Sequence, residues 1–383
     1  MIRQVRRNSD DAVRPVTTLE LFYDLVFVFA MTRVSHLLVE HLTWAGAGQA
    51  LIILLAVWWS WNYTTWATNE LNPESDVVRL LLLWLMLASL LMSVAIPDAF
   101  GDRGLLFACA YVAIQVSRHL FLTFAAAGAG SPERERAGRI LTWFVVAGVF
   151  WIAGGLAEGE TRIALWLIAV MLDYGAPLVL FWVPGRPKLH GTTWQVETSH
   201  FAERFGLFIM IALGETIVAT GATTADHDIT TATLLALCVA FIGTAALWWL
   251  YFASIAEVAV HGLDELETRT TVARDVYTYG HVLIVAAIIL SAVGDELIVA
   301  HPAEELSGAH LLAVVSGPVL YLVAQAVLHM RLSGRIRVSH VAGALACAAI
   351  SLLAPVVPAL AIGALLVAVL VVVAVVDRIT PAP

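Results

Sequence analysis

Charge is what this sequence has least of: Asp, Glu, Lys and Arg together make up 13% of its 383 residues, where a soluble domain carries about 25%. With 60% hydrophobic residues and a mean hydropathy of +0.85, the chain falls outside the soluble globular class. Cysteine is scarce as well. Cys109, Cys238 and Cys347 each sit inside an apolar run, without the short spacing of a zinc site or an exposed pair for a disulfide, so they read as small core residues. There is no His-Glu-x-x-His, no Asp-x-x-Asp and no glycine-rich phosphate loop. Support for a zincin-type enzyme or a nucleotide-driven pump is therefore missing, and no cofactor is expected. No basic patch is interleaved with aromatics, which removes nucleic acid as a partner, and the net charge of -9 comes mainly from acidic loops. The N-terminus is basic (Arg3, Arg6, Arg7), but the first apolar span contains acids and lacks a small-residue cleavage site, so a removable signal peptide is not expected.

What the sequence has in abundance is long apolar runs. A bilayer core about 30 Å thick takes roughly 20 apolar residues per helix. That ruler predicts twelve spans near residues 19–41, 47–69, 77–97, 105–127, 138–157, 162–183, 201–222, 229–256, 275–300, 308–330, 338–354 and 357–377. The fold class is therefore an all-α polytopic membrane protein, with membrane lipids as obligatory partners. Pro355 and Pro358 separate the last two spans, and prolines there can end a helix or kink one long helix.

The placement of Lys and Arg tests the count, because cytoplasmic loops are enriched in positive charge. With the N-terminus inside, sixteen of the 21 basic residues fall in inner segments, two (Arg103 and Arg162) in outer loops, and three (Arg33, Arg118 and Arg204) within helices. One missed helix among the first ten would reverse every later loop, so both termini are expected in the cytoplasm.

The two halves echo each other. Glu20-x-Phe22 opens the first span as Glu203-x-Phe205 opens the seventh, Trp58-Trp59 matches Trp248-Trp249, and Tyr111-x3-Gln115 matches Tyr321-x3-Gln325. The offset between partners grows in order along the chain. Loop insertions between duplicated six-helix halves, 17–183 and 200–377, would produce that drift, and an even helix number would make the repeats parallel. Chance similarity among apolar helices is the competing explanation.

Three separated blocks carry a more specific likeness: TTLELFYDLVFVFAMTRVSHLL from Thr17, WWSWNYTTWATN from Trp58, and HFAERFGLFIMIALGETIVA from His200. In this order they resemble the bacterial low temperature requirement protein A family, and the likeness runs from the first span to about the tenth. The resemblance implies a bacterial plasma-membrane protein. The family name reports a growth phenotype, so the resemblance implies neither a substrate nor catalytic residues.

The first block is the part around which the chain is organised. It is apolar enough to be a span, yet it holds Glu20, Asp24, Arg33 and His36. Each ionisable group in hydrocarbon costs about 2.5–3.5 kcal/mol on insertion scales, so these groups are expected to face protein or water. Glu20 and Asp24, spaced i, i+4, share a face. Either the two raise each other's proton affinity, as a proton-coupled carrier needs, or Arg204 and Arg118 neutralise them at the same depth. Arg33 and Glu215 lie at similar distances past Glu20 and Glu203 and are candidates for a pair, which would act as a gate, as half of a substrate site, or as a structural tie. Asp173 lies in Met171-Leu172-Asp173-Tyr174-Gly175-Ala176-Pro177. Pro177 predicts a kink with freed carbonyls beside the acid, as at transporter ion sites; a plain kink with a hydrogen-bonded Asp173 fits equally well. The deep acids Glu20, Asp24, Asp173, Glu203 and Glu215 outnumber Arg33, Arg118 and Arg204, so protons, a monovalent cation or a histidine (His36, His119, His281 or His329) must balance the excess. Asn62, Thr65, Trp66 and Asn69 share a face of the second span that would line a cavity or hydrogen-bond between helices.

These features point to a proton- or cation-coupled secondary transporter of a small solute. Two rival classes remain: a membrane-embedded enzyme or lipid-binding protein using Glu20/Asp24 or Asp173 on a lipid-borne substrate, and a non-catalytic scaffold.

Overall fold

Within hydrocarbon every backbone N–H and C=O must find its partner inside the protein, and a helix satisfies nearly all of them within one segment. The computed structural model, which describes residues 5–6, 16–187, 189, 198–255 and 269–380, follows that rule. Helices α1 (Thr18–Glu40), α2 (Trp44–Glu70), α3 (Asp76–Ala95), α4 (Gly104–Phe121), α5 (Pro132–Leu156) and α6 (Gly159–Gly175) are followed by α7 (Thr198–Asp226) and α8 (Thr231–Leu250). Helix α9 opens at Arg269–Ala273, passes through a π-helical stretch at Arg274–Gly280 and continues as His281–Ala300. Helices α10 (Gly308–Ser333), α11 (Val338–Ile350) and α12 (Ala359–Ile379) complete the chain.

Among the described residues, ten helices are long and apolar enough to cross a membrane, while α6 has 17 residues and α11 has 13. The expected kinked span over 162–183 is not formed. Helix α6 stops at Gly175, ahead of Pro177, whose ring lacks an N–H and crowds the preceding turn, and the chain then folds through tight turns. There the Phe181 amide reaches back to the Ala176 carbonyl at 2.9 Å, with Leu180 and Phe181 both at φ 51. The prolines near 355 end a helix and do not bend one: α12 starts afresh after Pro358, and the amides of Ala359 and Leu360 donate to the carbonyls of Glu304 (2.8 Å) and Pro302 (3.0 Å).

Local signals set the other boundaries. Ser131 caps α5 by accepting the Arg134 amide at 3.2 Å, with Pro132 at the first helical position and Glu133 and Glu135 in the first turn. Thr230 caps α8 by accepting the Thr233 amide at 3.1 Å.

The chain divides into two compact units, one of residues 1–37 and 48–204, the other of residues 38–47 and 205–383. In the first, α4 packs on α3 and α5, and α6 packs on α5. Small residues allow the close approach: a Cβ on Gly155 would lie 3.0 Å from the Leu105 Cα. At one end of this unit Arg162 is buried and donates to four carbonyls, Ala99 (3.1 Å), Gly101 (2.6 Å), Gly154 (3.2 Å) and Ala157 (2.9 Å), so this arginine, expected in a loop, ties three chain segments together. Elsewhere Glu70 binds Arg6 at 2.7 Å and also Arg136. In the second unit α9 packs on α10, with Gly317 against Ser291 and Gly294 against Val314. Helix α12 packs on α8, α11 and α9.

The reading of the cysteines as core residues holds for Cys347, which is buried, whereas Cys109 and Cys238 are exposed. A thiol is small and apolar enough to face lipid, so an apolar run alone does not say which side it takes.

Candidate functional site

The four ionisable groups singled out in the first block separate by depth. Glu20 and Asp24 are fully buried, Arg33 is half-buried with its guanidinium 4.7 Å from the centre of the Phe29 ring, and His36 is exposed. Glu20 and Asp24 take the protein interior, while His36 lies on the last turns of the helix, where a polar side chain reaches the aqueous boundary.

Glu20 and Asp24 lie one turn apart on the helix and meet α7 side by side. Arg204 spans them: Nη1 lies 3.1 Å from Glu20 Oε1, and Nη2 donates to Asp24 Oδ1 at 2.6 Å. His200, one turn before Arg204 and so on the same face, places Nε2 3.3 Å from Glu20 Oε1. Glu20 Oε2 accepts the Thr17 amide (3.0 Å) and hydroxyl (2.9 Å), and Asp24 Oδ1 also accepts the Trp61 indole N–H at 2.8 Å. Four charged or titratable side chains, all excluded from solvent, thus form one cluster. A fork-shaped guanidinium bridging two carboxylates is the arrangement for which Arg is better suited than Lys. Among the described residues Asp24 Oδ2 and Arg204 Nε make no hydrogen bond.

Arg118 does not join it. The expectation that each of Arg118 and Arg204 finds an acid is met by Arg204 alone. Among the described residues Arg118 makes no ion pair: its Nη1 donates to Thr64 Oγ1 (3.0 Å) and the Ser60 carbonyl (3.3 Å), its Nη2 to the Gln115 side chain, and its guanidinium lies 5.6 Å from the Tyr63 ring centre and 5.8 Å from that of Phe144. Ser60 and Thr64 are one helical turn apart on α2, so their carbonyl and hydroxyl present a ready pair of acceptors. Tyr23, next to Asp24 in sequence, donates to the same Thr64 oxygen at 2.9 Å.

Asp173 sits in the last turn of α6, 3% exposed. Its Oδ2 accepts the Tyr111 hydroxyl at 2.6 Å and the Trp151 indole at 2.9 Å, while Oδ1 has no hydrogen-bond partner among the described residues. Since Tyr111, Gln115 and Arg118 recur at intervals of about one turn along α4, polar groups continue from Asp173 toward Thr64 and Tyr23. Asn62, on α2, is fully buried. Trp58, Trp59 and Trp61 are fully buried too, whereas Trp248 and Trp249 are each 42% exposed.

Glu203 is corrected most sharply. It is exposed and accepts the Val16 amide at 3.2 Å, because consecutive helical residues point about 100° apart and Arg204 takes the inward face. Glu215 is buried in the second unit, and the neighbouring Thr216 exchanges a 2.7 Å hydrogen bond with Thr244. Sequence reading missed His200, Trp61, Tyr111 and Trp151 as partners of the acids. The i, i+4 spacing of His200 and Arg204 was available as a signal; nothing in the sequence singled out the other three. Among the described residues no group of three or more His, Cys, Asp or Glu is placed to hold a metal ion.

Comparison with known proteins agrees with this architecture. A family model described as bacterial low temperature requirement A protein matches residues 15–375. An uncharacterized protein of Rhizobium meliloti (strain 1021) is 39% identical over 357 residues, covering 93% of this chain and 87% of the relative. No solved structure matches significantly. From the matched span and the multi-pass helical architecture together, the chain belongs to the bacterial low temperature requirement A protein family.

Proposed function

We propose that the chain is a proton-coupled secondary transporter of a small solute in the bacterial plasma membrane, working from the carboxyl groups buried in the first unit. One observation carries the reading: Asp173 is buried in that unit and, among the described residues, makes no ion pair, whereas Glu20 and Asp24 share Arg204. A carboxylate held there without an ion-pair partner costs several kcal/mol, and a proton on Asp173 removes that cost. Asp173 is our choice for the proton that moves. Among the described residues it has no ion-pair partner, and its bare Oδ1 leaves room for a proton, whereas Glu20 and Asp24 share the charge of Arg204. The hydroxyls and amide from Tyr111 through Gln115 and Thr64 to Tyr23 would relay the change to the Arg204 cluster.

In this reading the two sets of six helices are duplicated halves, 17–183 and 200–377, both termini are cytoplasmic, and the second unit contributes Glu215 while Arg33 lies nearer the far end of α1. A monovalent cation in place of the proton would use the same acids.

The test is transport by purified protein in liposomes loaded with a pH dye, challenged with panels of candidate solutes. Asp173→Asn keeps size and hydrogen bonding while removing titration. The variant should insert and fold but lose solute-dependent proton flux. Unchanged flux in Asp173→Asn would reject Asp173 as the coupling site, and solute-independent turnover of a lipid would replace the transporter by the enzyme reading.

A further inference from the structure

The corner where α10 turns into α11 and meets the end of α12 holds a basic pocket that the buried acids do not explain. Gly334, in the left-handed conformation at φ 70, ends α10, with its amide on the Met330 carbonyl at 2.9 Å. Ser333 Oγ donates back to the His329 carbonyl (2.8 Å) and accepts the Arg335 amide (3.3 Å), which tightens the turn and throws residues 335–337 across the end of α12. There Asp377 accepts from Ser339 (2.7 Å) and pairs with Arg337 (2.9 Å) and His340 (2.8 Å).

A cavity of about 800 Å³ opens beside this cluster, lined by residues that include Arg335, Arg337, Val338, Ser339, Val376 and Asp377. A second, of about 270 Å³, shares Asp377 and is lined also by Trp249 and Arg378. Three arginines thus surround one carboxylate, and that carboxylate is already taken by Arg337 and His340. Among the described residues Arg335 and Arg378 make no ion pair; Arg378 lies 5.7 Å from the Trp249 ring centre. The first turn of α11 adds a positive end, since its N-cap residue, Arg337, provides no side-chain acceptor for the free amides. The rim is apolar and exposed, with Ile336 at 59% and Val338 at 77%.

We propose that this corner binds the anionic headgroup of a phospholipid. Its phosphate would sit on Arg335 and the open side of Arg337, its glycerol end near Arg378, and its acyl chains over Ile336, Val338 and Val376. The apolar rim favours a lipid over a free anion, and the surplus of guanidinium over carboxylate disfavours a choline headgroup, whose own positive charge would face Arg378. The Asp377 carboxylate would repel a phosphate that reached it, but Arg337, Ser339 and His340 occupy its oxygens.

Native mass spectrometry of the full chain, released from neutral detergent and titrated with phosphatidylglycerol, phosphatidylcholine or inorganic phosphate, tests this. The first phosphatidylglycerol should bind more tightly than phosphatidylcholine. Arg335→Gln should weaken phosphatidylglycerol by about tenfold, as expected for one lost hydrogen bond to a charged group, and leave phosphatidylcholine unchanged. Arg335→Lys should retain most of the preference, which separates loss of charge from misfolding. Arg79→Gln, which removes an exposed arginine paired with Asp76 at 3.1 Å, should have no effect. Equal weakening by Arg335→Gln and Arg79→Gln would show mere surface charge and overturn the site. Binding of inorganic phosphate with the same dependence on Arg335, without any preference among lipids, would overturn the lipid assignment.

Discussion

Replacing Arg204 with Gln removes the one cation that holds two buried carboxylates. Glu20 would keep the Thr17 donors and His200, and Asp24 would keep only the Trp61 indole. Breaking a buried pair from one side costs about 3–5 kcal/mol, because the remaining charge stays uncompensated. At about 2–4 °C per kcal/mol for a unit of 150–250 residues, the apparent Tm of the full chain in detergent should fall by roughly 6–20 °C. The Asp24→Asn change tests the origin of that loss, since it preserves an acceptor for Trp61 while removing the charge. Combined with Arg204→Gln it should recover at least about 1 kcal/mol relative to the sum of the single changes, within the range of coupling for contacting residues. Tryptophan-fluorescence melts of the wild type, the two single variants and the double variant suffice. A loss below about 1 kcal/mol for Arg204→Gln, or additivity within about 0.5 kcal/mol, would mean that the cluster is hydrated and that the charge argument is wrong.

Helix packing gives a second stability prediction: a Cβ at Gly317 would lie 2.6 Å from the Ser291 amide nitrogen and 2.8 Å from its Cα. Gly317→Ala should therefore lower the melting midpoint, the overpacking cost of about 1–3 kcal/mol exceeding the roughly 1 kcal/mol of helix propensity it gains; Gly221→Ala, with open space at its Cβ, should not lower it. Topology is checked with reporters fused after Pro383: activity from a cytoplasmic reporter is expected, and activity only from a periplasmic one would refute the placement of the C-terminus.

Hydropathy made the helices legible, because each span had to be apolar to insert. It overestimated α6, where the break depends on how Gly175 and Pro177 act together in a short stretch. Depth matching found Arg204, since two helices that begin at the same boundary bring equal rise to equal level. It failed for Arg118. A guanidinium can be satisfied by the Ser60 carbonyl and the Thr64 hydroxyl as well as by an acid, and residue counting along helices cannot see a carbonyl that accepts a further side-chain donor. Glu203 was misplaced for the opposite reason: depth alone was counted, and the 100° between it and Arg204 was not. Side-chain donors such as Trp61, Tyr111 and Trp151 were invisible as partners, because an indole or phenol in an apolar helix reads first as bulk.

The π-helical stretch Arg274–Gly280 gives α9 a distinct tolerance to change in length. A π turn carries more residues than an α turn, and here the His281 amide reaches the Val276 carbonyl, five residues back. Losing one residue between 274 and 280 lets that turn close as an ordinary α turn, so the faces of α9 before and after it keep their partners. The same deletion within His281–Ala300 has no surplus residue to absorb it and swings everything downstream by about 100°, turning Ser291 away from Gly317. Single-residue deletions accumulated by related chains in this helix should therefore fall within 274–280, where the helix can shorten without turning its faces away from their partners.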